Sequence, residues 1–507
     1  MAQTGKKLQE FLSLKLTKKQ KEIIVNQLQT DNRNVQPGDM FIAYPGSAID
    51  SRQFAADAVN RGAVVVLAEK AETAEAKAWL DDLSAPVVEA SNVQPIIGEI
   101  AAAFYGMPSQ HLDVIAVTGT NGKTSVTQLI AQANELLQGH AAVLGTLGNG
   151  PVNALQPSSN TTPGPLQIQS LLADFVSQGV RSVALEASSH GLEQGRLAGT
   201  LVRTAVLTNL TRDHLDYHGT MEAYQQAKEC LVLWPGLREL VWNADDPRVA
   251  EMAEKVASGV RRLSFSVSDD DADLYASDIA FTQQGLSFQL HYAGKTVRIE
   301  SALLGGFNVA NLLATIAVLM FRGSSLKDVA RLIPKLKPIP GRMEMVALKK
   351  EDDKLPVVLV DYAHTPDALS HALQAARTHC DGDLWCVFGC GGDRDKGKRS
   401  LMGAVADTHA DRIVLTSDNP RSELVEDIFR DIEAGFSEST DYFVKKDRKA
   451  AIYDAIMDAD PRDWVLIAGK GHEDYQEIRG EKREFSDAKT ARKALKKRRD
   501  ASESSCI

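Results

Sequence analysis

The feature that most constrains the fold of this chain is an apolar run leading through a glycine turn into an amphipathic stretch, residues 113–138. The turn reads TGTNGKT at residues 118–124. Backbone N–H groups of such a turn, together with the N-terminus of the next helix, attract a phosphate. The general GxxxxGK[ST] pattern has glycine where Val117 stands here. A tight strand–helix turn with a chance lysine is the alternative, but the strand and helix context favours a nucleotide site.

The residue types of this turn fit a bound nucleotide. Lys123 would bridge the β- and γ-phosphates, and the Thr124 hydroxyl would hold Mg²⁺. The predicted nucleotide contacts are Gly119, Thr120, Asn121, Gly122, Lys123, Thr124 and Ser125.

Apolar strand-like runs alternate with helical stretches along the chain, which predicts an α/β protein with doubly wound parallel sheets. The length of 507 residues suggests three domains at roughly 150 residues each. Turn-forming residues cluster near 106–109 and 338–341. We therefore predict a small N-terminal α/β domain (1–107), a central phosphate-loop sheet (108–342) and a Rossmann-like C-terminal sheet (343–507). Four strands are predicted for the C-terminal sheet. A β-hairpin is predicted for residues 276–303, as an addition to the central domain.

Composition excludes several classes of protein. The net charge of −10 argues against a nucleic-acid-binding protein, which would usually be basic. No apolar run approaches the ~18 residues of a membrane helix, and the N-terminus lacks a signal-peptide core. Five cysteines without a CxxC pair suit a reducing compartment. We expect a cytoplasmic monomer in which Cys386 and Cys390 are buried apolar residues, with Cys506 in a polar tail.

The phosphate loop is one of a series of motifs that occur, in the same order, in the Mur ligases, which this chain resembles from residue 118 to 476. Mur ligases are the ATP-dependent amide-forming enzymes of peptidoglycan synthesis, and thus of cell-wall biogenesis, cell shape and cell division. The chain is most similar to the branch that adds the third residue of the stem peptide. The motifs are GTNGKTS, NTTPGPL, EASSHGLEQGR, TNLTRDHLDYHGTMEAYQQAK, GGFNVANLLA, GRMEMV, VDYAHTPDAL, GCGGDRDKGKR, SDNPR and AGKGHEDYQ.

Three residues are candidates for a metal and catalytic centre. Glu186 ends the strand-like run SVALE, which suits a Mg²⁺ ligand beside a phosphate loop, although a helix N-cap is equally plausible from the sequence. The resemblance implies that Glu186 and His214 hold Mg²⁺ and that Lys228 is carbamylated. A carbamate needs a deprotonated amine, hence a partly buried Lys228. A solvent-facing helix lysine is the alternative.

The resemblance also implies three sets of binding residues. A planar guanidinium such as that of Arg421 is suited to gripping the far carboxylate of meso-diaminopimelate, and Glu473 would meet its distal ammonium. Further ATP contacts would be Asn308, Asn311, Arg342 and Asp361. Amino-acid contacts would be Arg394, Asp418, Asn419, Pro420, Arg421, Gly469 and Glu473, and contacts to the nucleotide-linked substrate Asn160, Thr161, Thr162, Ser188, Gln194 and Arg196.

The N-terminal domain departs from the family pattern. The family usually has Asp-Ser-Arg where residues 31–33 read Asp-Asn-Arg, and Asp-Gly-His or Asp-Gly-Arg where residues 50–52 read Asp-Ser-Arg. No uridine contact is therefore assigned to these positions.

The resemblance implies an ADP-forming ligase with ATP and Mg²⁺ as cofactors. Its substrates would be UDP-N-acetylmuramoyl-L-alanyl-D-glutamate and meso-diaminopimelate. Alternatives are a lysine-adding ligase of the same branch, a folylpolyglutamate-synthase-like ligase and a phosphate-loop kinase. A non-catalytic nucleotide-binding regulator would be expected to have lost Lys123, Glu186, His214 or Lys228, and all four are present.

Overall fold

The computed structural model describes residues 5–46, 49–348 and 354–504, so Cys506 lies outside the described residues. The chain divides into two compact units, Met1–Leu263 and Ser264–Ile507. This division leaves the predicted domain borders at 107/108 and 342/343 as predictions. Within the described ranges, no helix combines the length and apolar character needed to cross a membrane.

The first part of unit one is a four-stranded parallel sheet in the order β3-β4-β5-β6, with a separate antiparallel pair, β1-β2. Helix α4 ends at Gly106, which has the left-handed backbone (φ +81°) that favours glycine as a C-cap. The elements are β1 (Lys6–Lys7), α1 (Lys18–Lys21), β2 (Ile24–Val25), β3 (Leu28–Gln29), β4 (Met40–Ala43), α2 (Ala55–Asn60), β5 (Val65–Glu69), α3 (Ala74–Asp81), β6 (Val87–Ala90) and α4 (Val93–Tyr105).

The rest of unit one is built on a second sheet, in which β12, β11, β7, β10 and β8 are parallel neighbours and β9 is antiparallel to β8. Strand β13 crosses the border between the units. The elements are β7 (Asp113–Thr118), α5 (Lys123–Gln138), β8 (Ala141–Gly145), β9 (Gly148–Pro151), α6 (Pro165–Ser177), β10 (Ser182–Glu186), α7 (Ser189–Glu193), β11 (Thr204–Leu207), α8 (Leu215–His218), α9 (Met221–Val232), β12 (Glu239–Asn243), α10 (Pro247–Ala253) and β13 (Arg261–Ser266).

This strand order determines where a ligand can bind in unit one. Strand β7 lies between β10 and β11, so the loops that follow these three strands emerge at one edge of the sheet. The strands are buried on both faces, with Val114, Leu185 and Leu207 in one apolar cluster. In open α/β sheets, ligands bind at the carboxyl ends of the strands where the order reverses.

Unit two begins with an antiparallel three-stranded meander, β14-β15-β16, where the sequence predicted a hairpin. Its second sheet has the order β17-β18-β22-β19-β20-β21, with only β17 antiparallel. The elements are β14 (Leu274–Thr282), β15 (Gly285–Tyr292), β16 (Lys295–Ser301), α11 (Phe307–Phe321), α12 (Leu326–Leu332), β17 (Glu344–Met345), β18 (Val357–Asp361), α13 (Pro366–His379), β19 (Leu384–Phe388), α14 (Gly397–His409), β20 (Arg412–Thr416), α15 (Val425–Glu433), β21 (Tyr442–Lys445), α16 (Arg448–Asp458), β22 (Trp464–Ala468), β23 (Tyr475–Ile478), β24 (Glu481–Glu484) and α17 (Asp487–Ser504).

The prediction of four strands for the last sheet was wrong, since it has six. The additional strands, β17 and β21, are the two edges of the sheet. Strand β17 has only two residues, and three of the four β21 residues are exposed, so neither has the apolar run of a central strand. Cys386 and Cys390 are buried as predicted, and burial raises the pKa of both thiols, that of Cys390 to about 12.

A buried ion pair attaches helix α17 to unit two. The Arg448 guanidinium donates to both carboxylate oxygens of Asp487, at 2.8 and 2.7 Å, and both side chains are fully buried. We expect Asp487→Ala to lower the free energy of unfolding by about 3–5 kcal/mol, because it leaves a buried guanidinium unpaired. Urea unfolding measures the change. The exposed Asp500→Ala is the control, and a similar urea midpoint for both variants would contradict the expectation.

Candidate active site

The phosphate loop follows β7 and is fixed by the segment after β11. Gly119 has φ +149°, and a Cβ there would lie 1.9 Å from Thr208 Oγ1, so only glycine fits. The Thr208 hydroxyl donates to the Asn121 carbonyl at 2.6 Å, and Asn209 Oδ1 accepts from the Asn121 amide at 2.8 Å. Thr208 and Asn209 were not predicted as site residues, although both belong to the TNL segment that directly follows β11.

Lys123 begins α5, as predicted, and its side chain folds over the loop. Its ammonium donates to the carbonyls of Gly119 and Thr120, at 2.8 Å each. The Thr120 hydroxyl is 3.1 Å from the Tyr224 hydroxyl, which connects the loop to helix α9. The lysine charge therefore lies at the mouth of the loop, where a phosphate would bind.

Glu186 is the last residue of β10 and is almost fully buried. Its Oε2 accepts hydrogen bonds from the hydroxyls of Thr124, at 2.9 Å, and Thr146, at 3.1 Å, and its Oε1 accepts from the Thr146 amide at 2.8 Å. The N-cap of α7 is Ser188, so the alternative role of Glu186 as the helix cap is wrong. Thr146 was not predicted, because no pattern around it marks the turn after β8.

Lys228 lies on the buried face of α9, so the solvent-facing alternative is wrong. Its Nζ donates to the Gly119 carbonyl at 2.7 Å and is 4.6 Å from the centre of the Tyr224 ring. Burial, helped by the nearby Lys123 charge, holds the pKa of Lys228 well below its ordinary value, while Asp213 opposes the shift. The position thus favours the deprotonated amine that a carbamate requires.

His214 lies just before α8, on the loop after β11, and its side chain is 45% exposed. Its Nε2 is 3.5 Å from Asp213 Oδ2, and its ring centre is 4.8 Å from that of His190. Burial lowers the pKa of His214, although Asp213 raises it, so a neutral ring is favoured. The described ranges contain no group of three His, Cys, Asp or Glu side chains close enough to bind one metal ion.

The residues expected at the nucleotide-linked substrate lie at the same edge of the sheet. The Thr162 hydroxyl is buried and donates to the Glu186 carbonyl at 2.7 Å, and the Arg196 guanidinium donates to the Thr162 carbonyl at 2.7 Å. Gln194 accepts from Arg196 at 2.7 Å. This region also contains Asn160, Thr161 and Ser188. The structure brings these residues together, and their substrate contacts stay a prediction.

In the N-terminal part, both segments that depart from the family pattern form local ion pairs. Arg33 pairs with Asp31 at 2.7 Å, and Arg52 pairs with Asp50 at 2.6 Å. The Arg52 guanidinium also donates to the carbonyls of residues 69 and 70, so it is used within the fold.

The predicted adenosine contacts belong to unit two. Asn308 and Asn311 are buried on α11, where Asn311 Nδ2 donates to Asn308 Oδ1 at 2.8 Å and Asn308 Nδ2 donates to the Leu304 carbonyl at 2.7 Å. Asp361 ends β18 and accepts from two backbone amides; burial raises its pKa, and the Arg342 charge opposes this. The Arg342 guanidinium lies 4.5 Å from the Tyr362 ring centre.

The predicted amino-acid contacts form a second group in unit two. Asn419 Nδ2 donates to Glu473 Oε2 at 2.9 Å, and the fully buried Lys470 donates to Asn419 Oδ1 at 3.0 Å and to Glu473 Oε2 at 2.8 Å. Lys470 was not predicted, although it lies in the AGKGHEDYQ motif. At Gly469 (φ +115°), a Cβ would lie 2.5 Å from Asp418 Oδ2, so glycine is required there.

Arg421 follows Pro420 at the end of the SDNPR segment, and its side chain is 20% exposed. Its Nη1 donates to the Gly392 carbonyl at 2.6 Å, and its Nε is 3.3 Å from Glu477 Oε2. The Glu477 carboxylate thus gives the Arg421 guanidinium a counter-charge within the fold. Arg394 is exposed and lies close to Gly391. A Cβ added at Gly391 would be 3.8 Å from Arg394 Cγ.

The strand order and the loop of unit one define the protein as a phosphate-loop α/β protein with a buried carboxylate and lysine at the loop. Three family models match the chain: "Mur ligase family, catalytic domain" over residues 24–105, "Mur ligase middle domain" over 117–319 and "Mur ligase, glutamate ligase domain" over 341–471. The chain belongs to the Mur ligase family.

Individual relatives are similar over nearly the full length. The chain is 44% identical to a UDP-N-acetylmuramoyl-L-alanyl-D-glutamate–2,6-diaminopimelate ligase of Pseudomonas putida. The match covers 93% of this chain and 95% of that relative. It is 42% identical to the enzyme of the same name from Coxiella burnetii, and that match covers 97% of this chain and 100% of the relative. A solved structure of a ligase of this name has a TM-score of 0.71 and 38% identity, covering 98% of this chain and 99% of that one.

Proposed function

We propose that this protein is a ligase of the MurE branch, which joins meso-diaminopimelate to UDP-N-acetylmuramoyl-L-alanyl-D-glutamate and converts ATP to ADP and phosphate. The observation that carries the proposal is the placement of two buried groups, Glu186 and Lys228, directly at the phosphate loop. A loop that served only as a tight turn has no need of either. The choice of substrates follows the names of the relatives.

The main physical difficulty of the reaction is that a substrate carboxylate must approach the γ-phosphate of ATP, anion against anion. The ammonium of Lys123 lies at the loop mouth and would offset that charge, together with the loop N–H groups. The substrate carboxylate attacks the γ-phosphorus of ATP, the bond to the β-phosphate breaks, and ADP leaves as the acyl phosphate forms. The amine of diaminopimelate then attacks the acyl carbon, and phosphate leaves from the tetrahedral intermediate.

The donor set at the loop fits Mg²⁺. The Thr124 hydroxyl and the Glu186 carboxylate are hard oxygen donors 2.9 Å apart, and His214, whose lowered pKa favours the neutral ring, would be a further ligand. Bound Mg²⁺ would neutralise part of the negative charge on the phosphates.

A carbamate on Lys228 belongs to this proposal. The neutral amine attacks carbon dioxide, forms the N–C bond and releases one proton, which turns a neutral side chain into an anionic one. Burial of Lys228 lowers the pKa of its amine well below the ordinary lysine value, which favours the neutral form that this step needs. The resulting carboxylate-like group could hold a metal, whereas an ammonium could not.

The experiment that tests the proposal is an assay of ADP release. Purified protein receives ATP, Mg²⁺ and the dipeptide nucleotide, with meso-diaminopimelate or L-lysine supplied in turn. A separate reaction contains ATP, Mg²⁺, a folate and L-glutamate. We expect turnover with diaminopimelate alone. Turnover with lysine would favour the lysine-adding alternative. Turnover of a folate with glutamate would favour the folylpolyglutamate alternative, and the absence of any turnover would favour a non-catalytic regulator.

The cytoplasmic location and the monomeric state stay part of the proposal. Size-exclusion chromatography tests the monomeric state.

Arg421→Ala tests the predicted amino-acid site. Removing a charge-assisted pair with the far carboxylate of diaminopimelate costs about 1.5–3 kcal/mol, so we expect the KM for diaminopimelate to rise at least about tenfold. The KM values for ATP and the dipeptide nucleotide should stay within about twofold of wild type. Steady-state kinetics measure all three. A solvated turn residue would leave them unchanged, and that result would remove Arg421 from the site.

A further inference from the structure

The segment that carries Arg421 is fixed by the hairpin formed by β23 and β24. The Arg421 amide donates to the Glu477 carbonyl at 3.1 Å, and the Arg479 amide donates to the Arg421 carbonyl at 2.8 Å, so Arg421 and Ile478 form a parallel bridge. Arg421 has φ +50°, a left-handed conformation that is uncommon for residues other than glycine. The two backbone hydrogen bonds hold it in this conformation.

The side chain of Glu477 holds the guanidinium itself. Its Oε2 is 3.3 Å from Arg421 Nε, while Nη1 donates to the Gly392 carbonyl at 2.6 Å. Among the described residues, none accepts a hydrogen bond from Arg421 Nη2. The guanidinium is thus held through Nε and one N–H of Nη1, and its outer edge keeps the second N–H of Nη1 and those of Nη2 for a ligand. Two N–H groups on one edge match the two oxygens of a carboxylate.

We propose that Glu477 is a positioning residue for Arg421, which sets the orientation in which the outer edge of the guanidinium receives the far carboxylate of the incoming diamino acid. The inference rests on the proposed function. An arginine side chain that is ordered before the ligand arrives loses less conformational entropy on binding, so the ligand binds more tightly. Glu477 acts through Arg421 and does not itself contact the ligand.

The contacts of Glu477 separate this role from a merely structural one. Its backbone amide donates to Asn419 Oδ1 at 2.9 Å, and its backbone carbonyl accepts from Arg421. Both contacts survive any change of the side chain. A substitution at Glu477 therefore removes the hold on the guanidinium and leaves the backbone bridge in place.

The test uses the full-length protein and three variants. Glu477→Ala removes the carboxylate that pairs with the Arg421 guanidinium. Glu477→Gln keeps an acceptor of nearly the same shape and removes the negative charge, which would otherwise repel the ligand carboxylate. Glu481→Ala is the matched control, because Glu481 is an exposed residue of the same hairpin whose carboxylate pairs with Arg483.

We expect Glu477→Ala to raise the KM for diaminopimelate about tenfold, with kcat within about twofold of wild type and no change in the KM for ATP. Glu477→Gln should keep the KM for diaminopimelate within about threefold, and Glu481→Ala should match wild type. All variants should unfold at the wild-type temperature to within a few degrees.

Two results would overturn the inference while the proposed function stands. One is a KM for diaminopimelate that stays within twofold in Glu477→Ala. The other is an equal rise in Glu477→Ala and Glu477→Gln, since a retained acceptor must rescue a positioning role. Wild-type protein that does not turn over diaminopimelate would overturn the proposed function, and the inference with it.

Discussion

Lys123→Ala should lower the rate of ADP formation by at least about a hundredfold, because removing one pre-positioned group that stabilises developing charge costs that much in well-studied sites. The Lys123 ammonium lies over the loop carbonyls of Gly119 and Thr120, where a γ-phosphate would bind. The loop backbone keeps its contacts with Thr208 and Asn209 when this side chain is removed. Steady-state ADP release measures the effect.

The control for this prediction is Gln138→Ala, a substitution at the exposed last residue of the same helix. It should leave ADP release unchanged. Circular dichroism should show the same helix content in both variants. If Lys123→Ala keeps turnover within tenfold of wild type, the assignment of residues 118–124 as the phosphate loop of the reaction is wrong.

Lys228→Ala should be nearly inactive, with a loss of at least about a hundredfold, and a small carboxylate such as acetate should restore part of the activity. The reason for the rescue is that the working group in the proposal is an anion at the tip of the side chain. Removing the buried side chain leaves a space beside the Gly119 carbonyl and the Tyr224 ring, which we expect a small carboxylate to enter. ADP release is measured with and without added carboxylate.

A matched control is available on the same helix. Gln226 is exposed on α9, and Gln226→Ala should behave as wild type with or without acetate. Intact-protein mass spectrometry under bicarbonate should show the wild-type chain heavier by one carbon dioxide. Full activity in Lys228→Ala, or an unmodified lysine in the active protein, would remove the carbamate from the mechanism.

The pH dependence of the carbamate follows from the direction of the Lys228 shift. Burial favours the neutral amine, so its pKa lies well below the ordinary lysine value. The fraction of neutral amine rises as pH increases through that lowered pKa, and carbamate formation rises with it. Acid conditions protonate the amine and work against the modification.

Local sequence patterns were sufficient for the elements with strong periodicity or fixed turn chemistry. The strand, loop and helix around residues 113–138 formed as predicted, because an apolar run, two glycines and an amphipathic stretch are each decided by nearby residues. The buried position of Lys228 was predicted only through the family resemblance, since an isolated lysine in a helix is usually exposed. The edge strands β17 and β21 were missed, because an edge strand needs no continuous apolar run.

The side chains that order the site were beyond the reach of sequence patterns. Thr208 and Asn209 approach the phosphate loop from the segment after β11, and Thr146 approaches Glu186 from the turn after β8. Lys470 and Glu477 hold residues that lie more than fifty positions away along the chain. Such contacts depend on which loops the strand order brings to one edge, and no local periodicity encodes that order.

The sequence by itself determined the class of fold, the position of the phosphate loop and the polar residues available to it, because hydrophobic periodicity and turn chemistry act over a few residues. Only the tertiary structure decided that Glu186 and Lys228 are buried at the loop and that Arg421 already has a carboxylate partner in Glu477. Burial, and the pKa shift that follows from it, are properties of the packed environment. They depend on residues far apart in the chain, so they exist only once the sheets have formed.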